Sequence, residues 1–161
     1  MNTEIIEYII FNGPYLISLC TVYLLRNNTP YVWAFVIGSW INMYMNKLLK
    51  SWIRLPRPSL PRPETTETGQ SFYIGAEKYG MPSGHAQILF FAITFLFLVK
   101  RYITITYLFL FLACIVLYQR WIYKHHTLEQ LAAGIFTGSA FAYCIVLGTN
   151  RYVSNKSICI R

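Results

Sequence analysis

Gly80-Met81-Pro82-Ser83-Gly84-His85 opens directly into Ala-Gln-Ile-Leu-Phe-Phe-Ala-Ile-Thr-Phe-Leu-Phe-Leu-Val, residues 86–99. A Pro-Ser-Gly turn at a helix start leaves several backbone N–H groups unpaired and aimed at one point, an arrangement that favours an anion, phosphate above all. His85, just inside that start, is placed to exchange a proton with whatever leaves the anion. The same tetrapeptide is also an ordinary helix cap and turn. Which reading holds depends on what else the chain brings to this point.

The 14 residues that follow His85 are almost entirely apolar, and the rest of the chain follows suit. Hydrophobic residues make up 55% of the 161 and charged residues only 12%, about half the share usual in a water-soluble domain, roughly 25%. The apolar residues gather into runs near the ~20 needed to cross a bilayer. The expected fold class is therefore an all-α integral membrane protein, a bundle of about five transmembrane helices in one domain. The first run has no basic residue before it and no clear small-residue cleavage site, so it reads as a retained helix. Lys and Arg number 14 against six acidic residues, all Glu. With no Asp, the carboxylate clusters of two-metal phosphatases and P-loop ATPases are missing. Most of the cations lie at the ends of spans and between them, which points to anionic lipid or phosphate and away from nucleic acid. The cysteines show no metal or disulfide spacing.

Five spans fit the chain. The first, residues 5–25, contains Gly13-Pro14, which should kink it. The second covers about 31–51, where Gly38, Asn42, Asn46 and Lys50 recur at i+4 on one face. That stripe is both a helix-packing surface and a polar track leading to the helix end. Residues 52–81 form a long segment with an extended Pro-Arg-Pro portion, read as a lid over a site. The third span is 84–99, the fourth about 103–118 and the fifth about 127–149. The fifth carries Gly134-x-x-x-Gly138 and Ala142, a face for tight helix contact. A polar, basic and mobile tail is expected from 150 onward.

Counting crossings puts the end of span two, the start of span three and the junction of spans four and five on one side of the membrane. Lys50, Arg57, Ser83, Gly84, His85, Arg120 and His126 all gather there. The three cations match the charge of a phosphate, and the arginines bind it bidentately. Ser83 and the amides at the head of span three complete an oxyanion cradle. Two histidines suffice for a double displacement, one attacking phosphorus and one serving as acid and base.

Lys50-x6-Arg57-Pro58, then Pro82-Ser83-Gly84-His85, then Arg120-x5-His126 resemble the three motifs of the type 2 phosphatidic acid phosphatase superfamily, in order, spacing and parity. The resemblance implies His126 as nucleophile, His85 as acid and base, and Lys50, Arg57, Ser83, Gly84 and Arg120 as phosphoryl ligands, with no metal or other cofactor. Two positions depart from the pattern. Gln119 replaces the usual Ser, and Gln130 replaces the Asp four residues after the nucleophile. Gln130 can still accept a hydrogen bond from His126 Nδ1 and fix its tautomer, and Glu129 is an alternative partner.

Gly80-Met-Pro-Ser-x-His-x-Gln87 with His126-Thr127-x-x-Gln130 is similar to the dolichyl-diphosphate phosphatase branch, which implies a polyprenyl diphosphate as substrate. Phosphatidate or another lipid phosphate is the alternative. So is a non-catalytic lipid-phosphate binder in which Gln130 disables the nucleophile. A scramblase ranks last, because the spans offer little polar path. Eight Lys and Arg lie on the site's side and six on the other, so charge bias barely sets orientation; the resemblance implies a lumenal or extracytoplasmic site.

Overall fold

The computed structural model describes residues 10–58 and 78–158. Within them the chain is helical: α1 Gly13–Leu25, α2 Thr29–Ile53, α3 Gly84–Lys100, α4 Ile103–Ile122 and α5 Leu128–Ile158. Ile103–Ile122 and Leu128–Lys156 are long and apolar enough to cross a bilayer, while α1 and α3 are shorter apolar helices. The start of the first expected span and the body of the expected lid, 59–77, lie outside the described residues.

One local expectation is met and one changes. The helical run is interrupted at Gly13-Pro14: Ile10 and Phe11 are helical, Asn12 turns, and α1 starts at Gly13 with Pro14 in its first turn and the Asn12 carbonyl accepting from Tyr15 and Leu16 N–H. Proline is at home there, because the first N–H groups of a helix have no partner to lose. The last helix, however, runs beyond 149, to Ile158, through sequence whose polarity suggested a tail.

Helix α3 is the centre of the bundle and packs against all four others, most extensively against α5. Its mostly apolar sequence matches that place, since Ala86, Leu89, Phe91, Ala92, Ile93, Phe95 and Leu96 are all buried. Phe35 of α2 stacks on Phe91 and meets Phe95 edge-on at 5.2 Å, fixing α2 to α3. The small residues of α5 let it come closer still. A Cβ on Gly134 would stand 2.5 Å from the Ser83 carbonyl, and one on Gly138 would collide with the carbonyl of Gln87. Thus the glycine face seats α5 on the first turns of α3. The outer surface, by contrast, exposes Trp33, Trp40, Tyr44, Trp52, Tyr107, Phe111 and Phe136. Apolar exposure on this scale suits hydrocarbon better than water.

Candidate active site

The C-terminal ends of α2 and α4 and the N-terminal ends of α3 and α5 meet at one end of the bundle, as the crossing parity required. On α2 the stripe Gly38, Asn42, Asn46 and Lys50 is buried along its whole length. Gly38 admits the Phe91 ring, and the two asparagines clamp Gln87 of α3. Gln87 Nε2 donates to Asn42 Oδ1 at 2.8 Å, and Asn46 Nδ2 donates to Gln87 Oε1 at 2.8 Å and to the Pro82 carbonyl at 3.3 Å. The stripe packs α2 against α3 and its buried face ends at Lys50. A Cβ on Gly84 would lie 4.0 Å from Lys50 Nζ, so Lys50 faces the head of α3.

After α2, Arg54 takes a left-handed turn (φ 54°) and its N–H returns to the Lys50 carbonyl. The chain then pairs with the segment preceding α3: Gly80 N–H donates to the Leu55 carbonyl at 2.8 Å, and Pro56 bridges Tyr79. The two ends of the long connection are thus pinned together, which holds Arg57 beside the site. Ser83 begins α3 with its hydroxyl fully buried and without a hydrogen-bond partner among the described residues. It is a buried polar group at the head of α3.

Arg120 is buried on α4, and its Nη2 donates to His85 Nε2 at 2.8 Å. A guanidinium has no acceptor, so this nitrogen of His85 presents its lone pair. His126 is buried at the α4–α5 junction. Its Nδ1 faces Gln130 Oε1 at 3.2 Å, and that oxygen also accepts from Thr127 N–H at 3.3 Å. Gln130 Nε2 donates to the Pro56 carbonyl at 2.9 Å. A donor on one side and an acceptor on the other decide which way the carboxamide faces. The proton therefore sits on His126 Nδ1, and Nε2 keeps the lone pair.

Burial, then the positive charge of Arg57, push His126 down to about 3; the Gln130 hydrogen bond acts in the opposite direction, and Lys50 and Arg120 push it further down. His126 is thus a neutral base over the ordinary pH range. Its neighbour His125 is lowered too, by burial and then by Arg120 and Arg57. His125 is half-buried and edge-on to Tyr123, consistent with a bystander. Glu129 is exposed and Gln130 buried, so Gln130 and not Glu129 meets His126.

The candidate site residues Lys50, Arg57, Ser83, Gly84, His85, Arg120, His126 and Gln130 all lie at this end of the bundle. Sequence reasoning gave no role to Gln87, to the second bond of Gln130, or to Phe11. Gln87 carried two signals, its place at the end of the Gly80–Gln87 motif and its being a lone amide in an otherwise apolar run. Phe11, whose carbonyl lies 3.2 Å from His85 Nε2 and whose ring lies under Arg120, carried none.

These features agree with what the chain resembles across most of its length. It is 30% identical over 149 residues to Dolichyldiphosphatase 1 of Dictyostelium discoideum, an alignment covering 85% of this chain and 59% of that protein. The chain thus spans well under two thirds of that relative's length. No solved structure matches it. The model of the PAP2 superfamily matches residues 16–153, so helices α1 to α5 all fall within it in whole or in large part, and the chain belongs to the PAP2 superfamily.

Proposed function

We propose that this protein is a membrane-embedded lipid phosphatase that cleaves a polyprenyl diphosphate to the monophosphate and inorganic phosphate through a phosphohistidine. Membership in the PAP2 superfamily and likeness to a dolichyldiphosphatase support lipid phosphatase activity. The observation that carries the mechanism is His126, buried, neutral, with Nδ1 held by Gln130 and with the charges of Arg57, Lys50 and Arg120 acting on its ring.

In the first step His126 Nε2 bonds to the terminal phosphorus. The bridging P–O bond breaks, and its electron pair stays on the lipid monophosphate, which takes a proton from His85. In the second, a water oxygen bonds to phosphorus while its proton passes to His85. The P–N bond breaks, its pair returns to His126, and phosphate leaves. Lys50, Arg57, Arg120, the Ser83 hydroxyl and the α3 amides hold the phosphoryl oxygens as charge builds on them. Ser83 supports that role because its buried hydroxyl awaits a partner. The reaction as written uses no metal. The five helices form one domain in the bilayer, with the site on the lumenal or extracytoplasmic face.

The test is phosphate release by purified protein in detergent from polyprenyl diphosphate, polyprenyl monophosphate and phosphatidate, with and without EDTA. Release from the diphosphate that resists chelator is expected. Binding of the diphosphate without turnover overturns the enzyme reading, and faster release from phosphatidate overturns the substrate.

A further inference from the structure

Phe11 lies outside all three motifs and touches both His85 and Arg120. Its ring meets the His85 imidazole edge-on, with centroids 5.2 Å apart, and the Arg120 guanidinium carbon stands 4.5 Å from the ring centroid. The Phe11 carbonyl lies 3.2 Å from His85 Nε2. Gly13 brings it there. A Cβ on Gly13 would stand 2.8 Å from Val116 Cγ2, so the head of α1 lies directly on α4, one turn before Arg120.

His85 Nε2 therefore faces two partners with opposite demands. Arg120 Nη2, at 2.8 Å, donates and needs a lone pair there. The Phe11 carbonyl accepts and needs a proton there. One nitrogen cannot satisfy both at once. Among the described residues, the other charged or titratable groups acting on His85 are His126 from the α4–α5 junction and Lys50 from α2. Neither is a carboxylate. Among these described neighbours the carbonyl alone favours the proton.

We infer that Phe11 is a positioning residue for this reaction: its ring holds Arg120 within reach of His85, and its carbonyl receives the Nε2–H that His85 bears once Arg120 turns to a phosphoryl group. The inference rests on the phosphatase reading above. Before substrate binds, Arg120 occupies the Nε2 lone pair. An anionic phosphate draws the guanidinium away, Nε2 takes up a proton from solvent, and the Phe11 carbonyl keeps that N–H oriented until the leaving oxygen takes it. In the second half-reaction the proton released by water arrives at the same nitrogen and meets the same acceptor. The exchange needs no movement of α1, only of the Arg120 side chain.

The experiment is steady-state phosphate release from a polyprenyl diphosphate by wild type, His126→Ala, His85→Ala, Phe11→Ala, Phe11→Tyr and the double variant Phe11→Ala/His85→Ala, with thermal unfolding measured beside each. Phe11→Ala is expected to lower kcat about tenfold, the size of one lost cation–π contact together with a misplaced acid, and to leave KM within about twofold. Phe11→Tyr, which keeps the ring, is expected to restore kcat. In the His85→Ala background the Phe11 substitution should cost clearly less than in wild type, because one of its two partners is already gone. Should Phe11→Ala fold poorly, Phe11→Leu keeps the apolar bulk without the ring and gives the same reading. Wild-type kcat in the ring-less variant, or a full tenfold loss added to His85→Ala, overturns the inference while leaving the phosphatase intact. No release by wild type, or release surviving His126→Ala, overturns the phosphatase reading and this inference with it.

Discussion

Gln130 Oε1 lies 3.2 Å from Nδ1 of His126, and both side chains are buried. The same carboxamide donates from Nε2 to the Pro56 carbonyl at 2.9 Å, and the Gln130 backbone carbonyl accepts from Ser83 N–H at 2.9 Å. One residue thus joins the segments that carry Arg57, Ser83 and His126. A carboxylate at this position, the residue the superfamily pattern uses, would turn an oxygen toward the Pro56 carbonyl. Two acceptors would then face each other. The amide accepts on one side and donates on the other, so Gln130 fits its surroundings better than the charge it replaces.

Gln130→Glu is accordingly expected to be no faster than wild type, and Gln130→Leu to lose about fivefold or more in kcat. A hydrogen bond of roughly 1 kcal/mol is about a factor of five in rate. Steady-state kinetics of the two variants measure this. A Gln130→Glu enzyme clearly faster than wild type would show that His126 lacks a charge and not a position.

Arg120 meets both the His85 ring nitrogen and the Phe11 ring through one planar guanidinium. Lysine keeps the charge but cannot lie flat on the ring and fork toward a phosphoryl group. Arg120→Lys should lower kcat/KM about a hundredfold, the two lost contacts together being worth roughly 2–3 kcal/mol. A loss of less than about threefold, read from initial rates, would mean that charge alone suffices there.

Acid should weaken the fold through His126. Its folded value of about 3 lies below the unfolded value of about 6.5. Between those limits the unfolded chain binds the extra proton, so stability falls as pH drops through that window. Thermal unfolding between pH 7 and 4 should show wild type losing stability more steeply than His126→Gln, which carries no titrating group. Parallel curves would contradict the assignment.

The glycines of α5 are not equivalent. A Cβ on Gly138 collides with the Gln87 carbonyl, whereas one on Gly148 meets nothing within 4 Å. Gly138→Ala is expected to cost about 1–3 kcal/mol, as overpacking does, and to reduce activity by moving the head of α3. Gly148→Ala is expected to be neutral or mildly stabilising. Melting temperatures and specific activities of the two variants decide it.

The sequence made the gathering of the site legible because the argument was topological. Alternating crossings put Lys50, Ser83, Arg120 and His126 at one end before any distance was known. The Gly134/Gly138 face was legible from spacing alone, although its target, the first turns of α3, was not. Periodicity along one helix says nothing about its partner. The Gly13-Pro14 pair reads as a kink because the apolar run extends to its amino-terminal side, and the helical run does break there, at a turn on Asn12. Phe11 stayed hidden for a different reason. Its contacts reach 74 residues along the chain to His85 through a backbone carbonyl, an atom every residue owns.

The central claim is a covalent bond to His126. Rapid quenching of the enzyme with polyprenyl diphosphate labelled at the terminal phosphate tests it directly. The expected result is an acid-labile, alkali-stable phosphoenzyme, mapped to the peptide bearing His126, absent in His126→Ala and accumulating in His85→Ala. No labelled protein during demonstrated turnover, or label on any other residue, would contradict it.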